Sequence, residues 1–188
     1  MVPCLRHRPP LILSVLILTV LALPCLVAPG ALRQSPDRCA SLLPRPPVSH
    51  ARLAANVDRI VTAPRGTTYA FHVGERELEA YLNEEALPLA GFGAARMGLR
   101  LHSGRAEAAV LLTSTRCFAI LEIDQLGEQG APTVALKYAK LGPIEVPATV
   151  RDLMSRVLNE TLARGDLGVR LRSLYLEDEA ARVTLTRS

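Results

Sequence analysis

The sequence has few aromatic side chains and no tryptophan. Aromatic residues fill 4% of its 188 positions. Proteins that bind single-stranded nucleic acid by stacking present several aromatic platforms, so the composition argues against that class. The formal net charge is +4, and much of the arginine excess falls before residue 46, at Arg6, Arg8, Arg33, Arg38 and Arg45. Because the rest of the chain is closer to neutral, we expect no nucleic-acid partner.

Recognisable catalytic and metal-binding motifs are also missing. The four histidines are isolated from one another, and the chain contains no CxxC, GxSxG or GxGxxG pattern. Adjacent acids occur at Glu84–Glu85 and at 177–179, on a polar helix face and in a turn. Solvated carboxylates are the simpler interpretation of both, compared with an acid pair for glycoside hydrolysis. We therefore expect no enzyme activity, no metal site and no cofactor.

The four cysteines do not form a disulfide framework. They are Cys4, Cys25, Cys39 and Cys117, scattered without metal-ligand spacing. Only Cys39 and Cys117 could meet outside a membrane, and a bond between them is disfavoured because Cys39 lies in a linker-like segment.

One long hydrophobic run is present near the N-terminus. Residues 11–28 carry no charge and follow a start that contains Arg6 and Arg8. At 1.5 Å per residue, roughly 18 residues span about 27 Å, which suffices for a bilayer core. The run predicts a single membrane-spanning helix, with apolar positions such as Leu11, Leu16, Leu21 and Leu26. The positive end stays in the cytoplasm, so the remainder is expected to face outward.

A cleaved signal peptide is the alternative interpretation of this run. Its charged start and apolar stretch fit either case. Proline at 29 disfavours cleavage near residue 28, and Pro24 disfavours a lipoprotein site at Cys25. Both interpretations export the rest of the chain. The predicted organisation is therefore an anchor at 1–30, a stiff proline-rich linker at 31–48 and one extracytoplasmic domain at 49–188.

Hydrophobic periodicity predicts helices and strands throughout the domain. Helices are predicted at 50–63, 75–87 and 147–164. On the second of these, Glu75, Glu79 and Glu84 are expected to face away from the apolar stripe. Strands are predicted at 67–73, 95–102, 105–113, 116–126, 133–141, 169–176 and 181–186. Short connections indicate an antiparallel meander. The predicted class is α+β, with a curved antiparallel meander sheet wrapped around the long amphipathic helix 147–164, which lies across its concave face.

Some strands are apolar on both faces. Residues 108–112 and 116–123 are examples. One face is expected to pack against a helix, and the other must be covered by the shorter helices, by a partner, or by a ligand with acyl chains.

Three short motifs resemble those of known envelope proteins. They are Glu-Leu-Glu-Ala-Tyr-Leu-Asn at 77–83, a Lys-x-x-x-Leu-Gly-x-Ile-x-Val-Pro-like corner at 137–147, and Leu158–Asn159. Over about 67–187 the chain resembles the bacterial YpmS-type and LmeA-like families of membrane-anchored or exported proteins. The resemblance implies the tubular lipid-binding fold, in which a curved sheet and a long helix hold lipid in a groove. It implies lipid or phospholipid binding at the cell envelope, and no catalytic residues.

Two hypotheses from different classes follow. In the first, the domain binds membrane lipid or another apolar ligand in a groove between sheet and helix. The expected lining is Leu99, Leu101, Val110, Leu112, Leu121 and Ile123 from the sheet, with Val150, Met154, Val157 and Leu158 from the helix. In the second, the domain is a non-catalytic scaffold that contacts another envelope protein and has a filled core. An envelope hydrolase is a third, less favoured alternative.

Overall fold

The computed structural model describes residues 42, 44–89, 95–112, 117–126, 133–141, 144–164 and 168–188. The predicted anchor and its Leu11, Leu16, Leu21 and Leu26 lie outside these residues, and so does Cys39. In the part that is described, no helix has both the length and the apolar character needed to cross a bilayer.

Three helices and eight strands make up the described domain, and the α+β class is confirmed. Each predicted element occurs within two residues of its predicted bounds; the very short strand β6 was not predicted. The helices are α1 (Ala51–Thr62), α2 (Glu75–Tyr81, continuing through a π-helical turn at Leu82–Ala86 to Leu87–Leu89) and α3 (Ala148–Arg164). The strands are β1 (Thr68–Gly74), β2 (Ala95–His102), β3 (Arg105–Leu112), β4 (Cys117–Leu126), β5 (Thr133–Leu141), β6 (Ile144–Glu145), β7 (Val169–Glu177) and β8 (Ala180–Arg187).

The strands form two antiparallel sheets rather than the single meander expected. The five-stranded sheet has the order β2-β3-β4-β5-β6, which is the predicted meander. The three-stranded sheet has the order β1-β8-β7, so the first strand pairs with the C-terminal hairpin. Strands β1 and β8 pair from Thr68 opposite Thr186 to Gly74 opposite Ala180. This pairing joins segments more than a hundred residues apart, and no local pattern specifies it.

A bulge in β7 keeps its leucines on one face. Leu171 pairs with Leu185 and Ser173 pairs with Thr184, which leaves Arg172 as an extra residue. Without the bulge, strict alternation from Leu171 through Arg172 would turn Leu174 and Leu176 outward. With the bulge, all the large aliphatic side chains of β7 line the space between the two sheets.

The two sheets are joined by hydrogen bonds at one end, which we call the joined end. The Gly104 amide donates to the Leu176 carbonyl at 2.9 Å, and the Glu179 amide donates to the Leu101 carbonyl at 3.1 Å. The Leu176 amide donates to Oε1 of Gln125 at 2.8 Å. Gly104 has a φ of 73°, a left-handed conformation that glycine adopts without strain. All described hydrogen bonds between the two sheets lie at this end.

Helix α3 lies along the edge of β5, not across a concave sheet face as expected. Ser155 accepts a hydrogen bond from the Leu136 amide at 2.8 Å, and Asn159 accepts one from the Val134 amide at 2.9 Å. These contacts require the helix to run beside the strand. The polar positions of α3 therefore set its place, because they satisfy backbone groups that an edge strand leaves open.

The outer face of the five-stranded sheet is covered in part by the N-terminal segment. Ala109 and Ile120 are buried there in a small cluster with Leu42, and Leu111 and Tyr138 pack beside them. Leu42 is only 3% exposed. This accounts for apolar residues on both faces of β3 and β4, and the covering group comes from the segment predicted as a linker.

Candidate functional site

An apolar cavity of about 300 Å³ lies between the two sheets. The five-stranded sheet contributes Leu99, Leu101, Ala106, Ala108, Leu121 and Ile123, and the three-stranded sheet contributes Phe71, Val169, Leu171, Leu174, Val183 and Leu185. Leu53, Val57, Ile60 and Val61 of α1, Leu78, Tyr81 and Leu82 of α2 and Leu158 of α3 close its sides. Among the described lining residues, Tyr81 alone carries a side-chain oxygen or nitrogen, and none of them is charged.

Five of the residues predicted to line a groove line this cavity. They are Leu99, Leu101, Leu121, Ile123 and Leu158. Four come from the predicted sheet face and one from the predicted helix. These residues face the three-stranded sheet and α1 as well as α3. The expected groove, by contrast, was to lie between one sheet and α3.

The other predicted lining residues are placed elsewhere. Val110 is fully buried in the core, Met154 is 8% exposed in the same core, and Val150 packs against it. Val157 is 42% exposed and does not line this cavity, since α3 turns that face to solvent as it follows the β5 edge. Leu112 ends β3, and its side chain lies outside the described part.

Sequence reasoning missed the half of the cavity formed by β1, β7, β8 and α1. The alternation of Val183 and Leu185 and the helical spacing of Val57 and Ile60 were visible. Each pattern identifies an inward face. Neither pattern tells which elements face each other across the space, because that depends on the pairing of β1 with β8.

Helix α2 closes one edge of the five-stranded sheet with three side chains at helical spacing. The Leu101 amide donates to Glu75, and the Leu99 amide donates to Glu79 at 2.9 Å. Asn83 accepts from the Met97 amide at 2.7 Å and donates to the Met97 carbonyl at 2.7 Å. Glu75, Glu79 and Asn83 thus satisfy the open backbone groups along β2.

Glu75 and Glu79 are each only 4% exposed, which corrects the expectation that they face away from the domain. Burial of two carboxylates is costly unless each is paired and hydrogen-bonded. Arg45 supplies that pairing, since its guanidinium bonds to Glu75 and its backbone amide donates to Glu79 at 2.8 Å. Arg100 lies 3.3 Å from Glu79 as well. Glu84, by contrast, is exposed as expected.

Helix α3 closes the opposite edge of the sheet in the same manner. Arg151 donates to the Lys137 carbonyl at 2.6 Å, Ser155 accepts from the Leu136 amide, and Asn159 bonds to both backbone groups of Val134. These side chains are again spaced four residues apart. Both edge-closing helices carry the dipeptide Leu-Asn, at 82–83 and at 158–159. In each, the asparagine holds the helix on a strand while the leucine lines the cavity.

Helix α1 is tied to α2 at its N-terminal end. Glu77 accepts hydrogen bonds from the Arg52 guanidinium at 2.6 Å and from the Leu53 amide at 3.1 Å. The Arg52 hydrogen bond is the main reason that the pKa of Glu77 lies below its ordinary value, and partial burial opposes this effect. Glu77 also satisfies a backbone donor of the first turn of α1, as a capping side chain would.

The Tyr81 side chain adds one titratable group to the cavity wall. It is 7% exposed and lies edge-on to the His50 ring at 6.0 Å between centroids. Burial, followed by the negative charges of Glu85 and Asp58, raises the pKa of Tyr81 to about 12. The hydroxyl is therefore neutral at physiological pH.

The described residues contain no cluster of three or more histidine, cysteine, aspartate or glutamate side chains that could hold a metal ion. The expectation about Cys39 and Cys117 falls on a residue and a side chain outside the described part. No family model, curated protein or solved structure matches this chain.

Proposed function

We propose that this protein binds one apolar chain of lipid origin in the cavity between its two sheets. The cavity itself carries the proposal: about 300 Å³ of space lined almost wholly by aliphatic and aromatic carbon. Close-packed protein interiors contain few voids larger than a water molecule. An apolar void of this size is therefore a candidate for a ligand, not a packing remainder.

The volume favours a ligand with one chain. It lies at the lower end of the range of about 300–1,000 Å³ that is typical of small-molecule sites. An engineered apolar cavity of ~150 Å³ holds one benzene molecule. The space here is thus suited to a single acyl or alkyl chain, and a phospholipid would place at most one of its chains inside.

Incomplete burial of the lining gives a driving force for binding. Val61, Phe71 and Leu185 line the cavity, yet each is only half-buried. A bound chain would cover part of their surface and its own, and each Å² of apolar surface removed from water contributes ~25 cal/mol. No described lining residue is charged, so entry of the apolar chain desolvates no charged side chain among them.

The proposed setting is the outer side of a membrane, with a binding role and no catalysis. The uncharged run at 11–28 would anchor the chain, and the motifs that resemble YpmS-type and LmeA-like proteins favour an envelope lipid ligand. A domain tethered to a bilayer lies at a high local concentration of lipid. Scaffolding of another envelope protein is the competing function, and it requires no ligand in the cavity.

Filling the cavity tests the proposal. The Ala108 side chain lines the space from β3, so Ala108→Phe should occupy it. Ala70 is exposed on β1, and Ala70→Phe is the matched control. The full chain, in phosphatidylcholine vesicles, would be photolabelled with an uncharged alkyl alcohol that carries a diazirine. We expect labelled peptides from β3, β4 and β8 in the wild type and the control, and at least tenfold less labelling of those peptides in Ala108→Phe.

Stability separates the two functions further. A phenylalanine that enters an existing void should leave the free energy of unfolding unchanged or raise it. Overpacking of a filled core would instead cost about 1–3 kcal/mol. Destabilisation of Ala108→Phe, together with no label on the cavity strands of the wild type, would favour the scaffold function.

A further inference from the structure

The cavity-facing side of β8 ends in an arginine. Ala181, Val183 and Leu185 alternate along this face and line the cavity, and Arg187 is the next residue in the alternation. Arg187 is also the cross-strand neighbour of Val169, another lining residue. The guanidinium therefore lies on the inner side of the sheet, at the end opposite the joined end. We call this the open end.

The Arg187 side chain is held against the backbone and is incompletely satisfied. Its Nη1 donates to the Gly168 carbonyl at 2.9 Å, and a β-carbon on Gly168 would come within 2.5 Å of Nη1. Its Nε is buried and has no hydrogen-bond partner in the described part of the protein. A buried donor without a partner is unfavourable, so a shift of the side chain that brought Nε against a ligand acceptor would relieve it.

The open end is positively charged in its described segments. Residues 64–67, 168–170 and 184–188 include Arg65, Arg170 and Arg187 and no acidic side chain. The turn that carries Arg65 is fixed to the strand end, because the Gly66 amide donates to the Arg187 carbonyl at 2.8 Å. At the joined end, by contrast, Asp178 and Glu179 lie in the hairpin turn of β7 and β8. The described segments of the open end therefore favour an anion.

We propose, on the basis of the lipid-binding function above, that the ligand is a single-chain amphiphile whose anionic head binds Arg187. Its apolar chain points toward the joined end, and its head pairs with the Arg187 guanidinium at the open end. A guanidinium binds carboxylate and phosphate with charge-assisted hydrogen bonds, so either head group has suitable chemistry. Fatty acids and alkyl phosphates are the corresponding ligand classes.

Competition among amphiphiles of equal chain length tests this assignment. The full chain, in phosphatidylcholine vesicles, would be photolabelled with the uncharged probe used above. Laurate, dodecyl phosphate or dodecanol would then be added as competitor at about pH 8, where a carboxylate is ionised. We expect at least one anionic competitor to be about tenfold to a hundredfold more effective than dodecanol against the wild type. Which anion competes better distinguishes the carboxylate from the phosphate.

Variants separate this inference from the cavity function. Arg187→Gln should reduce the preference for the anion to about threefold or less while dodecanol competes as before. Arg182→Gln, at an exposed position on the outer face of the same strand β8 and far from the open end, should keep the wild-type preference. Equal competition by all three compounds in the wild type, or an unchanged preference in Arg187→Gln, would overturn the role of Arg187 and leave the cavity function standing. If Arg187→Gln does not fold, the wild-type comparison still decides. Failure to label the cavity strands at all counts against the cavity function itself.

Discussion

Arg45 is the residue that balances the two buried carboxylates of α2. Its guanidinium bonds to Glu75 and lies 3.5 Å from Glu79, while its side chain remains 30% exposed. The partner of a buried acid matters more than a surface ion pair, because its loss leaves charge in a poorly solvated place. The N-terminal segment is thereby fastened to the helix that closes the β2 edge.

Removal of this charge should destabilise the domain. Arg45→Met keeps the apolar stem and the backbone amide but removes the guanidinium. Loss of one partner of a fully buried pair costs about 3–5 kcal/mol, and the partial exposure of Arg45 reduces the expected loss to about 1–3 kcal/mol. Urea unfolding would measure it. Arg76→Met, at an exposed arginine that bonds only to the Pro46 carbonyl among the contacts described, should change stability by less than ~0.5 kcal/mol. An equal effect of both variants would contradict the buried-charge explanation.

Tyr81 should make stability depend on pH in the alkaline range. Its folded pKa is raised to about 12, whereas an unfolded tyrosine ionises near ~10. Below the unfolded pKa the folded state has its full advantage. As the pH rises through the folded pKa this advantage is lost, at up to about 1.4 kcal/mol per pH unit. Tyr81→Phe should lose less stability than the wild type between about pH 9 and 11, measured by urea unfolding.

A second tyrosine serves as the reference for that measurement. Tyr175 is 40% exposed on β7. Tyr175→Phe therefore removes the hydroxyl of an exposed ring, and its pH profile is the baseline for a change from tyrosine to phenylalanine at the surface. If Tyr81→Phe follows the same profile, the raised pKa of Tyr81 is not a source of alkaline instability.

At the level of elements, α2 and α3 both take the place of an additional strand at a sheet edge. Their side chains form the hydrogen bonds that the backbone of such a strand would form. Each presents polar groups at i, i+4 and i+8 to the open edge of a strand. A sheet edge closed in this way cannot easily pair with another chain. The same contacts fix the rotation of each helix, so that Leu82 and Leu158 point into the cavity.

The asparagine of α3 offers the sharpest test of this docking. Asn159→Ala removes two hydrogen bonds of 2.9 Å to Val134, which is 4% exposed. Loss of two such bonds with buried partners left behind should cost about 2 kcal/mol. Hydrogen exchange should show faster exchange in residues 133–136, because the Val134 amide loses its acceptor.

A matched position on the same helix provides the control. Arg156 is exposed on α3, and Arg156→Ala should leave both stability and exchange in β5 within error. Unaltered exchange in Asn159→Ala would show that the β5 edge is closed by packing alone.

For the molecule as a whole, the elements could be predicted from the sequence, whereas their arrangement could not. Alternation and helical spacing depend on neighbouring residues, and the strands of the meander pair in chain order. The partner of β1 and the position of α3 depend on contacts between distant segments. Glu75 and Glu79 show the limit at the residue level, since acids in the first turns of a helix are usually solvated. Their burial depends on Arg45 and on the open edge of β2, neither of which is near them in sequence.

Only one wall of the cavity could be predicted from the sequence, again because the other depends on contacts between distant segments. Leu99, Leu101, Leu121 and Ile123 could be identified because alternation marks an inward face. The opposing wall could not, because β1 and the C-terminal hairpin form a separate sheet. Arg187 carried no signal in the sequence, where it is one of several arginines near the end of the chain. Only the continuation of the β8 alternation beyond Leu185 places it beside the cavity.

The pairing of β1 with β8 also sets the order in which the molecule can be completed. When a ribosome has released residues 68–74, the residues at 180–187 that must pair with them have not yet been synthesised. The apolar faces of α1 and β1 therefore remain without β8 while the entire five-stranded sheet is synthesised. Contacts between such distant segments form slowly, because a long loop must close first. The cavity thus forms only when the hairpin of β7 and β8 has been synthesised, and until then the apolar faces that will line it are exposed to wrong partners.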